Sequence, residues 1–545
     1  MKKYKIGLLL DSFLIRAWQY HILDYLVNHP TFEIGLIVIN DGKRASQKNT
    51  KYAVYKLFIW LDRKIFKTKT NLFSTRDCSD LLKNNKILRV KPKQTKITDE
   101  IIGSDLSTIR ECRLDILIRF GFKILKGDIL SSARYGVWSL HHGDNRVNRG
   151  GPPAFWEVVN NEIVTGVTLL KLSSNLDGGS VLGKSYAKTD KTSFHRNQIS
   201  AFWAGIELFC ASLNSFVKDG PEKFFAETKN NYVLGFYSQP LFRNPTNGKA
   251  VRIFISFWLR RINELLKDVF LQQQWSIYYY AGSRQLETSL FRYTKLLPPP
   301  GIDWADPFVV EYSDAVFIFF EEFVHREKKA HISVLQFSKD GKLESQEPMR
   351  VLSEKYHLSY PFITEVEGTL YMIPESASVK KVSLYACVKH PSIWVKKRDI
   401  LTDVEFFDPT LHFHEGIWYL FGTIKPWEGN SPDQYLAIYY SEDLMNGIWQ
   451  PHPMNPLSRD VRGSRPAGKI FVHKEKIIRP SQVGAPKYGS AIRFYQIIKL
   501  STTEFAEVVI DDVQPLWEPD LLATHTFNSA NEFSVVDVQK WRSKI

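Results

Sequence analysis

The chain has 545 residues and a net charge of +14, with 44% hydrophobic and 24% charged residues. One core stops growing near ~250–300 residues, so this length predicts two domains, or three, of ordinary globular composition. The four cysteines, at positions 78, 112, 210 and 387, form no C-x-x-C pair and have no clustered histidine, which argues against a disulfide-stapled secreted domain and a structural zinc site.

From the N-terminus, residues 5–10 form a short apolar run after a lysine-rich start. The run ends at Asp11, so it reads as a first β-strand rather than a signal peptide, and no run of ~18 apolar residues predicts a transmembrane helix. A cytoplasmic location is the resulting expectation. Leu14, Ala17, Trp18, Ile22, Tyr25 and Leu26 recur at helical spacing up to His29-Pro30. Residues 32–40, 115–120 and 137–140 read as further buried strands. The alternation predicts an α/β domain with a mainly parallel sheet between helices. Gly7 has no G-x-G-x-x-G run around it, so the dinucleotide fingerprint is absent.

Much of the positive charge falls between residues 43 and 96, where only Asp62, Asp77 and Asp80 are acidic. Two readings stay open: a solvated basic face, or attraction of an anionic ligand such as a polyglutamylated cofactor, a nucleotide-linked sugar or a membrane surface. Sequence-specific nucleic-acid binding is not expected, because no helix-turn-helix, zinc-finger or RNA-module signature accompanies the charge.

The chemistry is expected between residues 139 and 182. A predicted strand ends in Ser139-Leu140-His141-His142-Gly143, followed by Asp144 and Asn145. Polar side chains there stand at the carboxyl end of a parallel sheet, where open α/β sheets bind ligands. Arg149-Gly150-Gly151-Pro152-Pro153 loosens the backbone and then starts a helix. Thr165-Gly166-Val167-Thr168 and Leu176-Asp177-Gly178-Gly179 come next. An Asp able to approach a His is a standard way to fix its tautomer and hold a general base.

These motifs resemble the formyltransferase family that includes methionyl-tRNA formyltransferase and the amino-sugar N-formyltransferases. The likeness covers about residues 1–215. It implies a Rossmann-like formyltransferase fold, with 10-formyltetrahydrofolate as co-substrate and no metal. His141 falls on the family's catalytic His and Asp177 on its partner. Phe120, Gly121, Phe122, Leu125 and Gly178 fall beside the folate, and Arg149 falls in the substrate loop. The family's catalytic Asn is Ser139 here. Loss of one oxyanion donor costs about 10²–10³ in rate. Ser139 reaches by a shifted backbone, His142 or Asn145 substitutes, or the catalyst is altered.

Residues 198–217 read as a helix stopped at Asp219-Gly220. Residues 252–270 read as another, with Arg252, Arg260, Arg261 and Lys267 beside an apolar stripe; a packing or linker helix is preferred to a membrane-surface one. The expected domains are 1–220, a helical linker 221–272, and an all-β domain 273–545.

In that last segment three units repeat about every fifty residues: Trp304-Ala305-Asp306-Pro307-Phe308, Leu358-Ser359-Tyr360-Pro361-Phe362 and Phe406-Phe407-Asp408-Pro409-Thr410. Each leads through a turn into a hydrophobic strand, which is the scale of a propeller blade, with room for two more. With Glu375, Arg465, Arg479 and Gln482, these motifs resemble the five-bladed β-propeller of family 43 glycoside hydrolases. They are most similar to the propeller that accompanies plant glucosamine inositolphosphorylceramide transferases. Asp306, Glu375 and Asp408 are candidate funnel carboxylates, of the type glycosidases use in pairs. Arg465, Arg479 and Gln482 suit phosphate or carboxylate recognition. Asp-Pro pairs also simply make turns. The leading expectation is transfer of a formyl group to an amino sugar or nucleotide-linked sugar, with the propeller holding glycan. The alternatives are a formyltransferase-like scaffold carrying a glycan-binding propeller, and a propeller that hydrolyses glycan or serves a glycosyltransferase. Methionyl-tRNA is not expected as acceptor, and the oligomeric state is open.

Overall fold

The computed structural model describes residues 3–42, 50–231, 236–282, 288–345 and 347–544. Positions 43–49 of the basic stretch and 232–235 of the expected linker lie outside the described residues. The chain divides into two units, Met1–Arg261 and Ile262–Ile545.

The first unit is built on seven strands: β1 (Tyr4–Leu10), β2 (Phe32–Asn40), β3 (Ile87–Val90), β4 (Ile116–Arg119), β5 (Val137–His141), β6 (Val164–Lys171) and β7 (Ser180–Lys188). Their order in the sheet is β7-β6-β5-β4-β1-β2-β3. The five from β3 to β5 are parallel, and β6 and β7 return antiparallel at one edge. From β1 the chain first moves outward to β2 and later crosses back to β4. The strand order therefore reverses at β1 and β4, and a crevice is expected beyond their carboxyl ends. Leu9, Leu36, Val38, Leu117 and Val137 are buried in one core cluster, as expected of strands covered by other elements.

Besides a four-residue helix at Ser79–Leu82, six helices accompany the sheet among the described residues: α1 (Ala17–Asn28), α2 (Ala53–Ile65), α3 (Gly103–Glu111), α4 (Trp156–Val159), α5 (Phe194–Asn231) and α6 (Asn247–Phe270). α1 starts later than its apolar spacing predicts, because Leu14–Arg16 pairs with Thr75–Asp77 as a small sheet. Gln19 accepts the Arg16 N–H at 2.7 Å and donates to the Phe120 carbonyl at 2.6 Å, tying the start of α1 to the loop after β4.

By length and composition the segment Phe194–Asn230 is apolar enough to cross a membrane, contrary to the expectation from sequence, but most of it is buried within the protein. It kinks at Gly220, whose φ is 76°, just before Pro221. Beyond the kink Phe224 stacks on Trp138 and Phe225 on Tyr135. Ala250, Phe254 and Phe257 of α6 are buried with Phe155, Trp156 and Phe194. The segment expected to be a linker thus contributes core to the first unit, and one boundary after Arg261 replaces those expected at 220 and 272.

The second unit is a β-propeller of five antiparallel sheets among the described residues. Strand β8 (Leu271–Ala281) pairs along its whole length with the last strand of the chain, Phe533–Ser543, so one sheet is closed by both ends of the unit. The other sheets span 302–352, 359–402, 406–451 and 471–513.

The repeated proline motif has one structural cause. In the three innermost strands, pairing skips from Ala305 to Phe308, from Ser359 to Phe362 and from Phe407 to Thr410, so two residues oppose one. Each skip is a β-bulge whose first residue is left-handed: Asp306 at φ 51°, Tyr360 at 44° and Asp408 at 50°. Asp tolerates that conformation. The second bulge residue is proline, whose missing N–H costs no ladder bond there.

Candidate active site

Alternation along β5 decides which side chains share a face. Ser139 and His141 lie on one face, and Trp138, Leu140 and His142 on the other. The His142 ring stacks on Phe202 at 3.6 Å and meets the edge of Trp18. Burial, and then the neighbouring His141, push its pKa down to about 3. A neutral core ring on the far face cannot take the oxyanion role expected of it, so His142 is a packing residue.

His141 is held from both sides. Its Nε2 lies 2.6 Å from the Asn148 carbonyl oxygen. A carbonyl only accepts, so Nε2 carries the proton in this contact. Nδ1 is thereby the lone-pair nitrogen, and it faces Asp177 Oδ1 at 3.5 Å, beyond an ordinary hydrogen bond. The tautomer is therefore set by Asn148, a residue the sequence reading missed, and not by Asp177. Asp177 has φ 50°, and its Oδ2 accepts the Gly150 N–H at 3.0 Å. This joins the 147–151 loop to the 175–178 loop.

The flanking motifs have positioning reasons. Thr168 Oγ1 donates to the Gly143 carbonyl at 2.9 Å and accepts the Asn145 N–H at 3.3 Å. A Cβ on Gly166 would stand 2.8 Å from the Asp144 Cβ. Asp144 accepts from Lys184 and, at 3.0 Å, from Tyr186. Burial opposes its ionisation, but these partners hold its carboxyl below the usual range. Arg149 donates to the Asn145 carbonyl at 2.8 Å and lies over Tyr237. It braces the loop. A Cβ on Gly178 would stand 3.3 Å from Arg149 Nη1.

The residue that sequence reasoning missed altogether is Arg119, at the end of β4. Its guanidinium donates to Ser139 Oγ at 3.2 Å, to the Phe122 carbonyl at 3.1 Å and to the Lys123 carbonyl at 3.2 Å. Three of its five N–H groups are engaged in this way. Burial lowers its pKa, while the charges of Asp177, Asp11 and Asp99 work the other way. Ser139 is buried and carries a cation on its hydroxyl. The only sequence signal for this was a charged residue ending an otherwise apolar strand.

The expected folate residues are divided. Phe122 and Leu125 are buried in the sheet core, so their side chains pack rather than face a ligand. The Phe122 N–H donates to Asp11 Oδ1 at 2.9 Å. A Cβ on Gly121 would lie 2.5 Å from the Asp11 nitrogen, so glycine is required there. Phe120 is half-buried at the edge of Trp18. Across from His141, Glu157 is buried and desolvation pushes its pKa up to about 7. The space lined by His141, Asn148, Glu157 and Phe242 is about 10 Å³, the room of about one water.

In the propeller the candidate residues form two buried clusters. In the first, Asp306 stands 3.5 Å from His525 Nε2, and Asp537 stands 2.6 Å from His525 Nδ1. These three are near enough to one another to hold a metal ion. Their acceptors are engaged by the protein: Asp537 takes the N–H groups of His525, Thr526 and Asp306, and Thr526 Oγ1 donates to Asp306. Burial works against a charged His525, but the two aspartates outweigh it and raise its pKa. Burial lifts Asp306 to about 6. Glu321, opposite Ala305 in the ladder and absent from the sequence reading, is raised by burial and then by Asp306.

In the second cluster, Arg465 makes a two-pronged pair with Asp408 at 2.6 and 2.9 Å. It also reaches Glu375 at 3.0 Å and Asp433 at 2.9 Å. Gln482 donates to Asp408 at 2.6 Å. Arg479 is paired with Glu507 at 2.7 Å through both prongs. Arg465 and Arg479 are thus consumed by internal carboxylates, and neither faces outward as a phosphate receptor. Glu375 and Asp408 are brought together as expected, but under a guanidinium.

Known proteins divide the chain in the same way. Residues 300–543 match the family model described as glucosamine inositolphosphorylceramide transferase 1, N-terminal. The rice (Oryza sativa subsp. japonica) glucosamine inositolphosphorylceramide transferase 1 is 32% identical over 210 residues, 38% of this chain and 28% of that protein. The methionyl-tRNA formyltransferase of Acetivibrio thermocellus is 35% identical over 105 residues, 19% of this chain and 32% of that protein. The matches thus span about a third or less of these relatives' length. An exo-β-1,3-galactanase from Clostridium thermocellum aligns over 44% of this chain and 57% of its own, at 16% identity and a TM-score of 0.33. The chain joins a formyltransferase-like α/β unit to a propeller like that of the plant transferases.

Proposed function

We propose that the first unit transfers a formyl group to the amine of an amino sugar or nucleotide-linked sugar, with the propeller holding the glycan part. The observation that carries this reading is the His141–Asp177 pair standing beside Arg119 and Ser139 at the carboxyl ends of parallel strands. 10-Formyltetrahydrofolate, as co-substrate, supplies the formyl carbon. The donor set suits an acyl oxygen, since Arg119 keeps N–H groups beyond its three protein bonds. Phe120 is the one half-buried aromatic of the expected folate loop.

On this reading His141 Nδ1 takes the proton of the attacking amine, because Nε2–H is already given to Asn148. Asp177 faces the positive charge that develops on the ring. Arg119, steadied by Ser139, meets the negative oxygen of the tetrahedral centre and replaces the family's asparagine. The relatives' name, which carries an amino sugar, supports the acceptor class.

A second reading is a formyltransferase-like scaffold with altered catalysis. It is favoured by the closeness of the Asn148 carbonyl to His141 and by the small space around the ring. Incubation with 10-formyltetrahydrofolate and a panel of amino-sugar nucleotides separates the two. Release of tetrahydrofolate dependent on one acceptor supports transfer. No release with any acceptor, while folate still binds, supports the scaffold.

A further inference from the structure

Helices α2 and α6 each have two apolar faces, and the first unit's core uses one of each. On α2, Tyr55, Phe58 and Ile59 face the cluster around Phe155 and Phe194. Asp62 is buried with them and accepts from Ser193 and the His195 N–H. Leu57, Trp60, Leu61 and Ile65 recur at helical spacing on the other side. On α6, Ala250, Phe254 and Phe257 are buried, and Val251, Ile255, Trp258 and Leu259 form the second stripe. These eight outward side chains are 41–60% exposed.

The stripes are neighbours. Asn247 accepts the Val54 N–H at 3.1 Å and donates to the Thr50 carbonyl at 3.0 Å. Further along both helices Phe58 stacks on Phe254 at 3.5 Å. The helices therefore run side by side in the same direction. With Phe58 and Phe254 at the seam, Leu57 and Leu61 fall on the same side of it as Val251, Ile255 and Trp258. Ile59 and Asp62 fall on the opposite side with Ala250 and Phe257, which is the buried side. Two exposed stripes thus make one apolar face. Soluble monomers rarely leave so continuous a face uncovered.

The charge around it says what covers it. Residues 50–69 and 247–261 hold ten Lys and Arg, six in the first segment and four in the second, and one acid, Asp62, which is buried. Two tryptophans stand within the face, one on each helix, and Lys64 reaches over the Trp60 ring. Trp rings favour the headgroup level of a bilayer, and basic chains beside an apolar stripe meet anionic headgroups. A second copy of the chain would set like charge against like charge.

We propose that this face docks the chain onto the surface of a bilayer containing anionic lipid, with Trp60 and Trp258 at headgroup depth. The test uses the full chain with phosphatidylcholine vesicles, with and without about 30 mol% phosphatidylglycerol. The expected result is co-sedimentation with the anionic vesicles only, with a blue shift of tryptophan emission and weakening by salt. The Ile255→Glu/Leu259→Glu variant should lose at least about tenfold in vesicle partition with an unchanged melting temperature. Lys56→Glu/Lys67→Glu, at exposed positions away from the packed face, should also lose most of its binding. Failure of the chain to bind anionic vesicles, or equal binding by both variants, overturns the proposal. So does a concentration-dependent dimer that Ile255→Glu/Leu259→Glu dissolves.

Discussion

Arg119 donates to the Ser139 hydroxyl at 3.2 Å, so Ser139 does not stand alone: it is paired with a guanidinium from the neighbouring strand. If this pair meets the oxyanion, Arg119→Lys should lower kcat by about 10²–10³ and change KM little, since the interaction strengthens only as charge develops. Steady-state kinetics of the two proteins checks it. A rise in KM with kcat unchanged would assign Arg119 to binding instead.

His141→Ala and Asp177→Asn should each reduce transfer by about 10²–10⁴, the usual worth of a positioned general base. Asn at 177 can still accept the Gly150 N–H, so its melting temperature should stay near that of the parent. Thermal melts run beside the activity assay separate loss of chemistry from loss of fold.

His142 supplies a stability signature in pH. Its pKa falls from 6.5 in the unfolded chain to about 3 in the fold, so its contribution is present above pH 6.5 and is lost as pH falls towards 3. Between pH 7 and pH 5 this group should cost the first unit about 2 kcal/mol. Urea unfolding at both values should show that difference between the parent and His142→Phe.

In the propeller, Arg465→Met strands Asp408, Glu375 and Asp433 together in a buried site. The expected cost is about 3–5 kcal/mol in the propeller's unfolding transition, measured by urea denaturation. Arg479→Met should behave alike through Glu507. An outward ligand-binding role for either arginine would instead leave stability nearly unchanged.

The parallel strands were legible because residues 36–39 and 116–118 are unbroken apolar runs, and the blade repeat because each bulge has a left-handed residue followed by proline. His141 and Asp177 were legible as motif residues. The sequence could not say which ring nitrogen is free, because that depends on the carbonyl of Asn148, and any residue supplies a carbonyl. It misplaced His142 because a His-His doublet at a strand end must send its two rings to opposite faces. It took Arg465 and Arg479 for ligand-binding groups because their partners, Asp433 and Glu507, are distant in sequence and share no motif with them. Arg119 was missed because only the sheet order sets it beside Ser139.

The most direct test of formyl transfer is mass analysis of the acceptor after reaction with isotopically labelled 10-formyltetrahydrofolate, for the parent chain and His141→Ala in parallel. The account predicts a labelled N-formyl amino sugar from the parent and only the uncatalysed background from the variant. Equal label in both, or none in either with every amino sugar tried, would contradict it.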